Sequence, residues 1–193
     1  MRAVCVFCGS AAGERPAYLA AARELGALLA RRRLNLIYGG GHVGMMGALA
    51  DAALAAGGRV TGVIPQHLMR PEVAHQGLTE LVIVESMHTR KRTMAGRADA
   101  FLVLPGGYGT LEEMFEMVTW RQLRLQAKPV GLLNVDGYFD HLLAFLRHAG
   151  SEGFIRAQDR HLIAVDTDAA ALLDRLAGNL PARSLPATGL DLS

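Results

Sequence analysis

Residues 105–113 read PGGYGTLEE, with glycines at 106, 107 and 109, a hydroxyl at Thr110 and two acids, Glu112 and Glu113. Glycines leave main-chain N–H groups uncovered. Where such a loop opens a helix, the helix dipole adds about half a positive charge. A phosphate is the natural guest. The three glycines are also free to take positive φ, which a tight nest can use. No lysine precedes Thr110, so this is not the loop of a nucleoside triphosphatase. Glu113 has two readings. Thr110-Leu111-Glu112-Glu113 has the spacing of a capping box, in which the glutamate only closes the helix start. The same carboxylate beside a phosphate cradle is a candidate catalyst, expected to stay ionised at neutral pH near the helix N-terminus.

An anion beside an anion needs a compensating cation, and SMHTRKRTM, residues 86–94, supplies candidates. Arg90 and Lys91 would reach the glycine loop if the strands at 81–85 and 100–104 pair; Arg92 suits a solvated helix face. A second loop, YGGGHVGMMG at 38–47, places Gly39, Gly41 and Gly44 in a G-x-G-x-x-G spacing. A dinucleotide site would also need an acid at the end of the next strand, which instead reads Val63-Ile64-Pro65. What remains is bare backbone at a helix N-terminus, or tight helix–strand packing through Gly44 and Gly47. Gly9-Ser10 makes a third such loop. Cys5 and Cys8 fall in a strand, pointing to opposite faces, and the seven histidines show no ligand spacing. No metal or cofactor is expected.

The elements that must hold these loops alternate in type. Apolar runs at 3–7, 35–38, 59–65, 81–85, 100–104, 129–134 and 162–166 read as strands. Helical patterns follow near 14–32, 44–56, 88–97, 110–125, 138–149 and 168–178. Continuous apolar strands indicate burial on both faces. The expected fold is therefore α/β: a Rossmann-like, doubly wound parallel sheet of about seven strands flanked by helices, as a single domain over residues 1–180. Its loops at the strand C-terminal ends are where ligands bind. The connection 66–80 is long and irregular, as functional connections often are. Residues 181–193 read as an irregular tail.

With 193 residues, 51 % apolar and 20 % charged, the chain can bury a core. A net charge of +2 argues against nucleic acid as a partner, and no apolar run is long enough for a membrane span or a secretory leader. Two cysteines suit a reducing compartment, so the cytoplasm is expected.

GGGHVGMMG, MHTRKRTM and PGGYGTLEE, in this order with strands between them, together with Thr119-Trp120 and KPVGLLN at 128–134, resemble the LONELY GUY family over residues 3–178. The resemblance implies hydrolysis of the N-glycosidic bond of a (cytokinin) nucleoside 5′-monophosphate, giving an adenine-type base and ribose 5-phosphate. It places the catalytic pair on Arg90 and Glu113. It places substrate binding on Glu72, Arg90, Lys91, on Gly107, Tyr108, Gly109, Thr110, Leu111, Glu112 and Glu113, and on Thr119. The loops add Ser10, Gly39, Gly40, Gly41, Gly44 and Gly106 to the candidate lining, and the helix start adds Met87. The family's older name, lysine decarboxylase-like, finds no lysine in a recognisable pyridoxal-phosphate setting. A homodimer is expected through the helix at 110–125, whose apolar face carries Leu111, Met114, Phe115, Val118 and Leu125, with Trp120 off its centre. Two other readings stay open: a general AMP nucleosidase, and a non-catalytic carrier of nucleotide or molybdenum cofactor.

Overall fold

The computed structural model describes residues 1–69 and 74–181. Glu72 and all but the first residue of the expected tail lie outside the described residues. The strands are β1 Ala3–Phe7, β2 Asn35–Tyr38, β3 Val60–Pro65, β4 Glu80–Val84, β5 Ala100–Val103, β6 Val130–Leu133 and β7 Ile163–Asp166. The helices are α1 Pro16–Arg31, α2 Gly44–Ala55, α3 Met87–Arg97, α4 Tyr108–Gln122, α5 Asp140–Ser151 and α6 Ala169–Gly178. Local chemistry sets several of the starts. Pro16 opens α1, where its missing N–H costs nothing. The Ser86 and Asp168 side chains accept from Thr89 N–H and Ala171 N–H to cap α3 and α6.

One parallel sheet runs β4-β3-β2-β1-β5-β6-β7. Every residue of β1 and β5 is buried. The twofold period of β1 explains why. Val4 and Val6 enter the layer shared with α1, α2 and α6, while Cys5 and Phe7 enter the layer shared with α3, α4 and the start of α5. Cys8 joins the first layer, so the two cysteines do face opposite sides. Both thiols are free, and burial pushes both far above their ordinary range.

Strands at 81–85 and 100–104 do not pair. β4 is an edge strand, and β3, β2 and β1 separate it from β5. The chain must therefore return from the edge to the middle, and α3 makes that return, packing across β3, β2 and β1. The winding reverses between β1 and β5, so their outgoing loops lie side by side; Gly9 N–H donates to Pro105 O at 3.0 Å. Such a reversal is where open α/β sheets leave a ligand crevice. Among the described residues no helix is long and apolar enough to cross a membrane.

Candidate active site

Two glycine-flanked helix starts face this crevice, and the backbone treats them differently. At α2 the Met45 and Met46 N–H groups donate to Ala11 O and Gly9 O, both at 3.3 Å. Gly40 and Gly44 have φ of +77° and +61°, and a Cβ on Gly44 would run into the Ser10 carbonyl. Gly47 abuts the His42 carbonyl. These glycines pack the loop against its neighbours rather than helix against strand, and that helix N-terminus is already occupied by carbonyls. At α4 the first N–H with an acceptor is that of Leu111, which donates to Gly107 O at 3.1 Å. The N–H groups of Tyr108, Gly109 and Thr110 have no acceptor among the described residues. Of the two, only the α4 start is free to take an anion.

The glycines of this start work through space, not through positive φ, which none of Gly106, Gly107 and Gly109 adopts. Gly106 lies against Thr110 Oγ1 and Gly9 N, where a side chain has no room, whereas a Cβ on Gly107 or Gly109 would meet nothing within 4 Å. Tyr138 steadies the loop, its hydroxyl donating to Gly106 O at 2.7 Å. The expected capping box does not form. Gly107 is the N-cap, α4 starts two residues earlier than the threonine, and Thr110 and Glu113 lie inside the helix. Leu125 falls beyond the helix and is exposed.

Glu113 is buried at 8 % exposure, and its Oε1 is 3.4 Å from Arg90 Nη1. Arg90 is held from behind: Nε donates to Val63 O at 3.0 Å and Nη2 to Gly39 O at 3.3 Å. The two residues meet because α3 crosses the sheet, not because β4 adjoins β5. The expectation that the helix start keeps Glu113 ionised also fails. Burial pushes its carboxyl up to about 7; the Arg90 guanidinium opposes that shift without cancelling it. Six residues into α4, the carboxylate lies past the first turn, where the dipole has faded. A carboxyl that titrates near neutrality suits proton transfer.

Lys91 is buried and bridges two acids of α4, bonding to Glu112 and standing 3.1 Å from Glu116. Burial pulls its ammonium pKa down, but the hydrogen bonds to Glu112 and Glu116 outweigh that and raise it. Adjacent residues of α3 thus clamp α4 at Glu112, Glu113 and Glu116. Met87 sits one turn before Arg90, its Sδ 3.7 Å from Nη1. Tyr108 is 95 % exposed at the mouth, and Ser10 is exposed above Gly44. Leu111 packs inward on the second core layer. Thr119 is not brought to this cluster: it lines an apolar groove of about 540 Å³ with Phe115, Leu143, Leu146, Phe154 and Leu162. Sequence reasoning missed the carbonyls of Gly39 and Val63 and the hydroxyl of Tyr138. A carbonyl leaves no mark in a sequence; Tyr138 was findable only as part of the loop after β6.

A sequence profile described as "Possible lysine decarboxylase" matches residues 46–176. The chain is 53 % identical over 180 residues to a probable cytokinin riboside 5′-monophosphate phosphoribohydrolase of Oryza sativa subsp. japonica, covering 93 % of this chain and 79 % of that protein. A cytokinin riboside 5′-monophosphate phosphoribohydrolase of Arabidopsis thaliana is 48 % identical over 178 residues, covering 92 % of this chain and 78 % of its own length. The chain belongs to the LONELY GUY family. Among solved structures, the molybdenum cofactor binding protein of Rippkaea orientalis superposes with a TM-score of 0.70 at 20 % identity, covering 92 % of this chain and 96 % of that one. At that identity the likeness shows a shared fold, and LONELY GUY membership rests on the sequence relatives. The decarboxylase description does not fit the lysines. The sequence has two: Lys91 is clamped between glutamates, and Lys128 Nζ donates to Ala95 O at 2.6 Å. Neither is free to form a Schiff base.

Proposed function

We propose that the chain hydrolyses the N-glycosidic bond of a cytokinin riboside 5′-monophosphate, releasing the base and ribose 5-phosphate. The observation that carries this is the buried Arg90–Glu113 pair one turn beyond an uncapped, open helix start. The names of the plant relatives agree with it. The 5′-phosphate sits on the N–H groups from Gly107 to Thr110, which fixes the ribose and turns binding into orientation. Breaking the bond to the base builds positive charge on the sugar. Ionised Glu113 stabilises that charge or takes a proton from the attacking water, and its pKa near 7 fits either the charged or the proton-accepting role. Arg90 orients the carboxylate. The water's oxygen bonds to the sugar carbon, and the leaving nitrogen departs with the bonding electrons and acquires a proton.

The working form is a homodimer. Helix α5 fully buries only Gly150, although it carries Leu142, Leu143, Phe145 and Leu146. The apolar groove it forms with α4 is open, and Thr119 lies in that groove rather than beside its own Arg90. A second copy packed on this face would cover the groove and bring Thr119 to a substrate from outside. The single unit over residues 1–180 is the folding unit of each protomer. Two free, buried thiols are in keeping with a reducing compartment such as the cytoplasm.

The test is chromatographic detection of free base from isopentenyladenosine monophosphate and from AMP, with Glu113→Gln alongside. Release from the prenylated nucleotide with little from AMP supports the proposal. Equal release from both returns the chain to a general AMP nucleosidase. Binding without release returns it to a carrier. Light scattering on the purified chain reads the dimer directly.

A further inference from the structure

The chain after the long connection returns to the sheet through a set of contacts that the reaction above does not use. Ala74 forms an antiparallel bridge with Gly41, and His75 N–H donates to Gly40 O at 2.9 Å. The His75 ring is almost enclosed, 11 % exposed, and both its nitrogens are engaged. Gly77 N–H donates to Nδ1 at 3.0 Å. Nδ1 therefore carries no proton, and the proton is on Nε2, which donates to Asp51 Oδ1 on α2 at 2.9 Å. The ring thus ties the strap at 74–77 to helix α2, while the main chain of Ala74 and His75 ties the same strap to the loop at Gly40–Gly41.

That loop is also the seat of Arg90. Gly39 O accepts from Arg90 Nη2, and Gly39 precedes the two residues that the strap binds. Gly40 has a positive φ of +77° and packs against Ile64 and Leu81, so the loop has one way to lie while the strap is in place. We propose that His75 is a positioning residue for the reaction: through its bonds to Asp51 and Gly77 it locks the strap on Gly40–Gly41 and so holds the Gly39 carbonyl where Arg90 is aimed at Glu113. The inference rests on the reading of Arg90 and Glu113 as the working pair. The groups that face Glu113 are Arg90 and Lys91 from α3, Glu112 and Glu116 from α4, Cys5 from β1 and Cys8 just after it. Of these, Arg90 is the one seated on the Gly39 carbonyl that His75 steadies.

The experiment compares His75→Ala, Asp51→Ala, Asp51→Asn and Arg90→Lys in base release across pH, with thermal melts. Loosening Arg90 removes the cation that opposes protonation of Glu113. His75→Ala is expected to lower kcat roughly ten- to a hundredfold, as misplacement of a catalytic group does, and to move the acid limb of the profile to higher pH. A role in folding alone would lower the melting temperature and leave that limb in place. Asp51→Ala should move both readouts in the same direction. Asp51→Asn should retain most of the turnover, because its amide oxygen still accepts from Nε2–H. An unmoved acid limb in folded His75→Ala overturns the proposal. If His75→Ala does not fold, Asp51→Ala decides alone, since it removes the same bond from a residue that is 70 % exposed. Arg90→Lys separates the two readings. Loss there with wild-type behaviour in His75→Ala sinks only the latch, whereas normal turnover in Arg90→Lys sinks the working pair itself.

Discussion

The guanidinium of Arg90 occupies the space where a side chain on Gly39 would begin. A Cβ built on Gly39 overlaps Arg90 Nη2 and comes within 3.2 Å of Arg90 Cζ and of Met46 Sδ. The glycine is therefore part of the arginine's seat, not only a turn residue. Gly39→Ala should fold, because the colliding atoms are the far ends of long side chains that can swing aside. Arg90 should leave Glu113 as a result. The expected outcome is a fall in kcat of about a hundredfold with a melting temperature close to wild type. Normal kcat in this variant would show that Arg90 need not lie against Gly39.

Arg90→Lys tests the fork itself. Arg90 serves Val63 O, Gly39 O and Glu113 with three different nitrogens at once. An ammonium has one nitrogen and cannot span these directions. Turnover in base release should fall by about two orders of magnitude, as when a preorganised charge partner is lost. Binding of ribose 5-phosphate should change little, because the open N–H groups of α4 remain.

Much of this was legible in the sequence. Among the described residues, the seven strands and six α-helices lie within about three residues of where apolar runs and periodicity put them, because a parallel sheet buried on both faces imposes an unbroken apolar signal. The pairing of Arg90 with Glu113 was also anticipated, but for the wrong reason. Strand order is a long-range property, and nothing in residues 80–103 states that β4 lies at an edge. The start of α4 was misplaced because Thr110-Leu111-Glu112-Glu113 has cap spacing, yet Gly107 and Tyr108 take up the helix first. The charge state of Glu113 was misjudged because a helix dipole can be read from position in sequence, whereas burial cannot. The Glu113 carboxyl is buried beside Arg90 of α3 and near Cys5 of β1, neighbours that only the fold assembles.

The raised pKa of Glu113 makes two linked predictions about pH. Activity that needs the carboxylate should fall as pH drops below about 7. Stability should run the other way. The folded group holds its proton to about 7, while an unfolded glutamate releases it near 4.5, so between those values the native state binds more protons. This residue's contribution to stability therefore declines as pH rises from 4.5 to 7. Glu113→Gln stays neutral throughout. Its melting temperature relative to wild type should be higher at pH 8 than at pH 5, with turnover largely lost at both. A constant difference across pH would mean that Glu113 is ionised well below neutrality.

Gly109 separates stability from function at the anion site. It lies in the first turn of α4 with an ordinary negative-side φ, and a Cβ there meets nothing within 4 Å. By helix propensity alone, Gly109→Ala should stabilise the protein by roughly 0.5–1 kcal/mol. The new methyl would stand in open space in the turn that carries the unsatisfied N–H groups of Tyr108 and Thr110, and is expected to crowd a phosphate bound there. KM for the nucleoside monophosphate should rise about tenfold or more while the melting temperature rises or holds. Gly106→Ala is the contrast, since its Cβ would collide with Thr110 and the Gly9 backbone, and that variant should lose stability first. An unchanged KM in a stabilised Gly109→Ala protein would place the phosphate away from this helix start, because a group bound on those N–H groups is expected to feel a methyl added in the same turn.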